Sequence, residues 1–174
     1  MRKKRLLQLT AALLCAVILS ACGGAPADAD YTCTVSISCA TILDNMDQCA
    51  ESKKELVPAD GVILPPTEVA FAEGESAFDV LQRVCRDNGI HLESKFTPVY
   101  NSAYIQGIHN IYELDVGKLS GWMYAVNDWF PNYGCSLYQV QDGDVIRWVY
   151  TCDLGADVGG GQAAGDGQQE GAST

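Results

Sequence analysis

A single segment of this 174-residue sequence has a clear helical pattern, and that limits the fold more than any other feature. The segment runs from Ser76 to Asn88. Ser76 is a favourable N-cap, Asp79 stands at the capping-box position, and Gly89 follows where helices commonly end in a left-handed residue. One helical face carries the apolar side chains Phe78, Leu81, Val84 and Cys85. Because one helix covers only one face of a sheet, we expect a fold of strands with this helix packed across them.

The strand predictions rest on alternation and turn signals. Residues 32–39 (TCTVSISC) alternate polar and apolar side chains, which predicts a strand with one buried face. Further extended segments are predicted within Gly61 to Phe71 (two pieces divided by Pro65-Pro66), His91 to Leu114, Gly121 to Asn127 and Asp144 to Thr151. This order predicts an α+β fold, a β-grasp-like mixed sheet with one packed helix, in a single domain over residues 31–154.

The first 21 residues are predicted to be a lipoprotein signal peptide. A basic start (MRKKR) precedes an uncharged apolar run, Leu6 to Leu19, which is the pattern of an export signal. The run ends in Leu-Ser-Ala-Cys at Cys22, which resembles the lipobox of bacterial lipoproteins; the alternative is an ordinary signal cut after Ala21. The resemblance implies diacylglycerol on Cys22, a spacer over residues 22–30, and anchoring in the cell membrane on its extracytoplasmic face.

Composition excludes several function classes. Once the signal is removed, seven basic residues face 22 acidic ones, and such a surface repels nucleic acid. Gly155 to Thr174 has no aromatic side chain, which predicts a flexible Gly-rich tail.

The sequence has no nucleophile elbow, zinc-protease His pair or phosphate-binding glycine loop, so no enzyme activity, catalytic residue or cofactor is predicted. Asp44 to Asp47 and Asp142 to Asp144 lack the spacing of a calcium loop, and no metal site is predicted.

Six cysteines remain after Cys15 in the signal and Cys22 at its end are set aside: Cys33, Cys39, Cys49, Cys85, Cys135 and Cys152. An even number in an exported domain favours a disulfide framework, so the fold is expected to be disulfide-stapled. A zinc site is the alternative, but the closest pair, Cys33 and Cys39, is not a C-x-x-C motif and neither histidine flanks a cysteine. If the first and last strands pair in parallel, Cys39 and Cys152 lie near each other.

Residues 120–134 (SGWMYAVNDWFPNYG) concentrate aromatic side chains. Alternation in the predicted strand places Trp122 and Tyr124 on one face, where they are either core residues or ligand contacts, and the core interpretation is favoured. The following segment contains Pro and Gly, which predicts a loop, and its aromatic side chains either bind a ligand or fold back as a lid over the core. The predicted ligand-binding residues are Trp122, Tyr124, Asn127, Trp129, Phe130, Asn132 and Tyr133.

Several short motifs together resemble those of one family. They are Gly121-Trp122, Val126-Asn127, Gly143-Asp144-Val145-Ile146 and Trp148-Val149-Tyr150. They resemble the C-terminal domain of the vitamin B12 carriers transcobalamin and intrinsic factor, and more closely the bacterial transcobalamin-like family of unknown function, DUF4430. The resemblance covers about Tyr31 to Asp153. It implies a non-catalytic surface that caps a corrinoid such as cobalamin, although this sequence has no counterpart of the carriers' helical-barrel domain.

These expectations combine into one hypothesis. The protein is expected to be an extracytoplasmic, membrane-anchored lipoprotein whose domain binds a corrinoid without catalysis, with a second surface protein as a further candidate partner. The alternative is a module that docks a protein or a cell-wall component and has no small-molecule ligand.

Overall fold

The computed structural model describes Pro26 and residues 29–160. The predicted signal peptide, the lipidation site Cys22 and residues 161–174 lie outside the described residues. Among the residues that are described, no helix is long and apolar enough to cross a membrane. Two β-sheets, one α-helix and short 3-10 helices make up the fold, so the predicted α+β class with one packed helix is confirmed.

A four-stranded mixed sheet forms the centre of the fold. Its strands are β1 (Tyr31–Ser38), β2 (Val62–Phe71), β6 (Gly121–Val126) and β7 (Val145–Thr151). They lie in the order β2-β1-β7-β6, with β1 and β7 parallel and the other two pairs antiparallel. The alternation predicted for β1 is confirmed, because Cys33, Val35 and Ile37 are all buried while the residues between them are only half-buried.

The prediction that β2 consists of two separate pieces is wrong. Pairing with β1 continues on both sides of Pro65 and Pro66, from Val62 to Phe71. The register shifts twice opposite this segment, between Val35 and Ser38 of β1. Proline has no N–H for a regular ladder, and it is tolerated here because β2 is an edge strand.

Helix α1 (Ala77–Asp87) begins and ends where the sequence predicted. The hydroxyl oxygen of Ser76 accepts a hydrogen bond from the Asp79 N–H at 3.2 Å, and the Ser76 N–H donates to the Asp79 carboxylate at 2.9 Å. Gly89 has the left-handed φ of 64° expected beyond a helix end. The side chains buried in the core shared with β1 and β7 are Ala77, Val80, Leu81, Val84 and Cys85.

A second, three-stranded antiparallel sheet follows the helix. Its strands are β3 (Leu92–Thr97), β4 (Ser102–Ile108) and β5 (Ile111–Tyr112), in that order. Two buried side chains of the main sheet connect the two sheets. The Trp122 indole N–H donates to the Ile111 carbonyl at 2.8 Å, and the Tyr150 hydroxyl donates to the Tyr112 carbonyl at 2.7 Å. The extended segments predicted within His91 to Leu114 form a sheet of their own, and the β3–β4 pairing has one register shift, between Glu93 and Ser94.

Residues 155–160, predicted to begin the flexible tail, are folded onto the main sheet. The Asp157 carboxylate accepts a hydrogen bond from the Thr151 hydroxyl, which fixes a 3-10 helix over Ala156–Val158. The Val158 side chain packs on the sheet face opposite α1, against the cluster of Ala125, Phe130 and Val149. The segment predicted as tail therefore does not leave the domain at Gly155, because Asp157 accepts hydrogen bonds from Thr151 and Cys152 and Val158 makes an apolar contact.

All six cysteines carry free thiols in the structure, and their predicted disulfide pairing stays a prediction. The parallel pairing of β1 and β7 is confirmed, and it brings Cys39 and Cys152, which directly follow these strands, to the same end of the sheet. Burial raises the pKa of Cys39 to about 12, and the nearby thiols of Cys49 and Cys152 add to that shift. These three cysteines are therefore the neighbours among which we expect a disulfide bond to form.

Candidate functional site

The aromatic stretch at residues 120–134 is divided between core and surface. Trp122 and Tyr124 are buried on the inner face of β6. The Trp122 ring meets Tyr150 edge-on with centroids 5.3 Å apart, and Tyr124 stacks on Trp148 at 5.5 Å. The Tyr124 hydroxyl donates to the Tyr133 carbonyl at 3.0 Å. Both side chains thus have packing roles, and a ligand on the surface would not reach them.

Phe130 points back into the protein although it belongs to a loop. It is buried on the opposite face of the main sheet, with Ala125 and Val149. Gly160 crosses close to its ring: a Cβ atom at Gly160 would lie 3.1 Å from a Phe130 ring carbon. The prediction that Phe130 contacts a ligand does not fit this position, because the folded C-terminal segment covers the ring.

Asn127 has a structural role that the sequence did not reveal. It adopts a left-handed φ of 50° at the turn after β6, and its side-chain oxygen accepts a hydrogen bond from the Val145 N–H at 2.9 Å. Its side-chain nitrogen donates to the buried carboxylate of Asp144 at 2.8 Å. That carboxylate also accepts hydrogen bonds from the Tyr138 hydroxyl and the Gln141 N–H, each at 2.8 Å. Asn127 and Asp144 therefore hold together the two ends of the 127–144 connection, and the oxygen and the nitrogen of the Asn127 side chain each have a partner within the protein.

Trp129 and Tyr133 are the two aromatic side chains of the stretch that reach the surface. They are 49% and 39% exposed, and their rings meet edge to face with centroids 5.9 Å apart. Asn132 lies between them in sequence and is exposed as well. Of the predicted ligand-binding residues, Asn127, Trp129, Asn132 and Tyr133 are exposed, but the Asn127 side chain is engaged by Asp144 and Val145.

The second sheet brings further aromatic side chains to the same place. A cavity of about 190 Å³ lies between the loop and the β3–β4 hairpin, and its lining includes Tyr100, Tyr104, Asn132 and Tyr133. Tyr100 and Tyr104 are 71% and 46% exposed. The aromatic surface is defined here as Tyr100, Tyr104, Trp129, Asn132 and Tyr133. Sequence analysis missed the two hairpin tyrosines, because only the tertiary fold places β4 beside this loop.

A polar group fixes one edge of this surface. The Tyr104 hydroxyl donates a hydrogen bond to the Glu113 carboxylate at 2.5 Å. Burial raises the pKa of Tyr104 to about 12, and the hydrogen bond to Glu113 contributes to the shift. Tyr104 is therefore neutral at physiological pH and presents an apolar ring held at its hydroxyl end.

The loop is fastened to β4 by a close backbone approach. A Cβ atom at Gly134 would lie 2.0 Å from the Ser102 hydroxyl oxygen, so only glycine fits there. Ser102 accepts a hydrogen bond from the Ser136 N–H at 3.3 Å, and the Ser136 hydroxyl accepts one from the Ala103 N–H at 3.0 Å. The base of the aromatic surface is thus held in place while its rings face outward.

The described residues supply no obvious metal site. Over residues 29–160, no group of three or more His, Cys, Asp or Glu side chains is placed to hold a metal ion. Asp144, one of the acids in the 142–144 turn, instead accepts three hydrogen bonds from protein groups. The chemistry available at the aromatic surface is stacking, apolar contact and hydrogen bonding from Asn132.

Comparison with solved structures gives 17 similar chains, and two of them illustrate the match. One is haptocorrin in complex with Cbi, at 14% identity and a TM-score of 0.48; the match covers 71% of this chain and 26% of that one. The other comes from Ruminococcus gnavus ATCC 29149, and its description proposes metal binding; it shows 13% identity, a TM-score of 0.42, and coverage of 70% of this chain and 97% of that one. This chain spans about a quarter of the haptocorrin chain.

Sequence comparison finds a matching family model. No curated protein matches the chain. A family model described as "Domain of unknown function (DUF4430)" matches residues 74–152, from the loop before α1 to the end of β7. The matched segment contains the capped helix, the aromatic loop and the Gly143 to Tyr150 motifs on which the resemblance was based. Residues 74–152 therefore match the DUF4430 family, and the resemblance predicted from the sequence motifs is confirmed.

Proposed function

We propose that this protein is a membrane-anchored lipoprotein whose domain binds a flat, partly apolar ligand, a corrinoid, on the aromatic surface without catalysis. The observation that carries the proposal is the convergence of Asn132 and Tyr133 from the loop with Tyr100 and Tyr104 from the hairpin around one cavity, with the exposed Trp129 ring beside Tyr133. Monomeric proteins seldom leave clustered apolar rings in water unless something binds them. The choice of a corrinoid rests on the sequence resemblance to the transcobalamin-like family.

The geometry suits a large planar ring better than a small enclosed molecule. The cavity of about 190 Å³ is smaller than the roughly 300–1,000 Å³ of typical small-molecule sites, so it would receive only a substituent of the ligand. The exposed rings around it would stack on the body of a macrocycle. Asn132 would hydrogen-bond to the amide side chains of a corrinoid. One side of the ligand would remain open to a second protein.

The anchoring part of the proposal rests on the sequence. Diacylglycerol on Cys22 would hold the domain at the extracytoplasmic face of the membrane, and the spacer of residues 22–30 would keep it within a few nanometres of the lipid. A ligand captured there would be handed to a membrane component without long diffusion.

A second candidate function has its own supporting observation. The hairpin carries two further exposed apolar side chains, Phe96 and Val99, which are 59% and 86% exposed and do not line the cavity. A protein partner or a cell-wall component would cover these side chains as well, whereas a single corrinoid at the cavity would leave them uncovered. The interaction module is therefore the alternative to be tested against corrinoid binding.

Calorimetric titration of the protein with cobalamin and cobinamide tests the proposal. We expect saturable heat, and we expect Trp129→Ala to weaken binding by about tenfold or more, because a stacked Trp is a typical interface anchor. Leu137→Ala is the matched control: Leu137 is 46% exposed in the same connection but is not part of the aromatic surface. An absence of saturable heat with either corrinoid contradicts the proposal and favours the interaction module, and so does equal weakening by both variants.

A further inference from the structure

A second cavity, of about 400 Å³, lies at the end of the main sheet where β1 begins and β2 ends. Its lining includes Tyr31, Phe71, Glu73, Gln139, Gln141 and Asp142. It shares no lining residue with the cavity of the aromatic surface. Its volume lies within the range of small-molecule sites.

One wall of this cavity is aromatic. Tyr31 and Phe71 are paired across β1 and β2, and their ring centroids are 5.7 Å apart. Phe71 is almost fully buried beneath, whereas Tyr31 is 38% exposed. Phe71 therefore supports the Tyr31 ring from the core side, and part of the Tyr31 ring stays exposed to the cavity. The face of an aromatic ring attracts cations electrostatically.

The other walls carry acceptors and negative charge. Within residues 29–160, neither Glu73 nor Asp142 forms a salt bridge. One Asp142 carboxylate oxygen accepts a hydrogen bond from the Thr32 N–H at 2.9 Å. The Gln141 side-chain nitrogen donates to the Gln139 and Val140 carbonyls, which leaves its side-chain oxygen as an acceptor. Arg83, a cation on the neighbouring helix, is already bound to Glu75 and the Ala70 carbonyl.

This combination selects one class of ligand. An anion would be repelled by the two carboxylates, and an apolar molecule would leave their charges and the amide oxygens without partners. A metal ion needs a close set of oxygen ligands, and no such group of side chains exists in the described part of the chain. An organic ammonium group matches the lining of the cavity, because it can lie on the Tyr31 ring and face the carboxylates of Glu73 and Asp142.

We propose that this cavity binds a small organic cation with an ammonium group, which is a site independent of the aromatic surface. Tyr31 supplies the aromatic face, and Glu73 and Asp142 supply the charge. Because the carboxylates are exposed, the attraction is expected to weaken as salt concentration rises.

The test is an NMR titration of the ¹⁵N-labelled full chain, read at the amide of Gly74, which lies in the cavity wall. The probes are choline for a quaternary ammonium, putrescine for a primary one, and 3,3-dimethylbutan-1-ol, which has the shape of choline without its charge. We expect a saturable shift with at least one cation and none with the neutral alcohol. The cation that binds tells which ammonium class the site takes.

Two variants and a control locate the site. Asp142→Asn removes the charge but keeps an acceptor for the Thr32 N–H, and Tyr31→Leu removes the ring; each should weaken cation binding by about threefold or more. Glu55→Gln, the same change of charge on an exposed acid outside the cavity, should leave affinity unchanged, and so should Trp129→Ala. Failure of both cations to saturate the shift overturns the proposal. Equal binding of the neutral alcohol, or equal effects of Asp142→Asn and Glu55→Gln, also overturns it.

Discussion

Replacing Asp144 with asparagine should destabilise the fold through a conflict between two hydrogen-bond donors. The Asp144 carboxylate accepts bonds from Asn127, Tyr138 and the Gln141 N–H, each at 2.8 Å, and it is only 4% exposed. An asparagine has one acceptor oxygen. If that oxygen faces Tyr138 and Gln141, its NH₂ group meets the NH₂ group of Asn127. Asn127 cannot rotate to relieve this, because its oxygen accepts from the Val145 N–H.

We expect Asp144→Asn to lower the free energy of unfolding by about 2 kcal/mol, since one buried donor loses its partner and two bonds lose a charged acceptor. For a domain of this size, that corresponds to a fall in melting temperature of roughly 5–10 °C. Asp142→Asn, two residues earlier and exposed, should change stability by less than about 0.5 kcal/mol. Chemical denaturation with both variants measures the difference.

The double variant Asn127→Asp with Asp144→Asn sharpens this test. The exchange restores an acceptor for every donor. The new carboxylate at position 127 would accept from the Val145 N–H and from the new amide at position 144, whose oxygen would still serve Tyr138 and Gln141. Aspartate also tolerates the left-handed φ of 50° at position 127. We expect the exchange to recover at least half of the lost stability. Two results would refute this assignment of donors and acceptors. One is an Asp144→Asn variant as stable as the original protein, and the other is a double variant no more stable than Asp144→Asn alone.

Three further predictions concern the helix, two glycines and the thiols. Ser76→Ala should cost about 1 kcal/mol of unfolding free energy, measured by denaturant titration, because the capping box is lost. Gly61→Ala should lower the free energy of unfolding by more than about 2 kcal/mol, and Gly74→Ala by about 1 kcal/mol. Both glycines have positive φ, but only a Cβ atom at Gly61 would meet a backbone atom, at 2.3 Å. Equal losses of stability in the two variants would contradict this reasoning. Under reducing conditions, stability should fall as pH rises from about 9 to 12, because burial raises the folded-state pKa of Cys39 and Cys85 to about 12 while unfolded thiols ionise near 9. Denaturation with and without reductant measures this, and an identical pH dependence in both would show that no cysteine is paired.

Local signals in the sequence were sufficient for the elements that depend on local chemistry. The Ser76 and Asp79 cap, the Gly89 end and the alternation of β1 each act within a few residues, and each appears in the structure as predicted. The α+β class could be predicted because the sequence shows one helical segment among several predicted strands, and one helix covers only one face of a sheet. The parallel pairing of β1 with β7 was stated as a condition for bringing Cys39 near Cys152, and it holds.

The candidate site could be predicted only in part, because the direction of a loop side chain depends on what covers the sheet. Trp129 and Phe130 are adjacent in the loop, yet Trp129 is exposed and Phe130 is buried by Val158 and Gly160. Nothing within the loop distinguishes the two. The contribution of Tyr104 likewise depends on a second sheet that the sequence pattern did not separate from the first.

The measurement that tests the central claim most directly is ¹⁹F NMR of the protein labelled with 5-fluorotryptophan and titrated with cobinamide. The chain has three tryptophans; Trp122 and Trp148 are buried at 9% and 2% exposure, and Trp129 is 49% exposed. If a corrinoid stacks on the aromatic surface, the Trp129 resonance, assigned with Trp129→Phe, should move saturably while the other two stay in place. An unchanged Trp129 resonance at saturating cobinamide would contradict the proposed function.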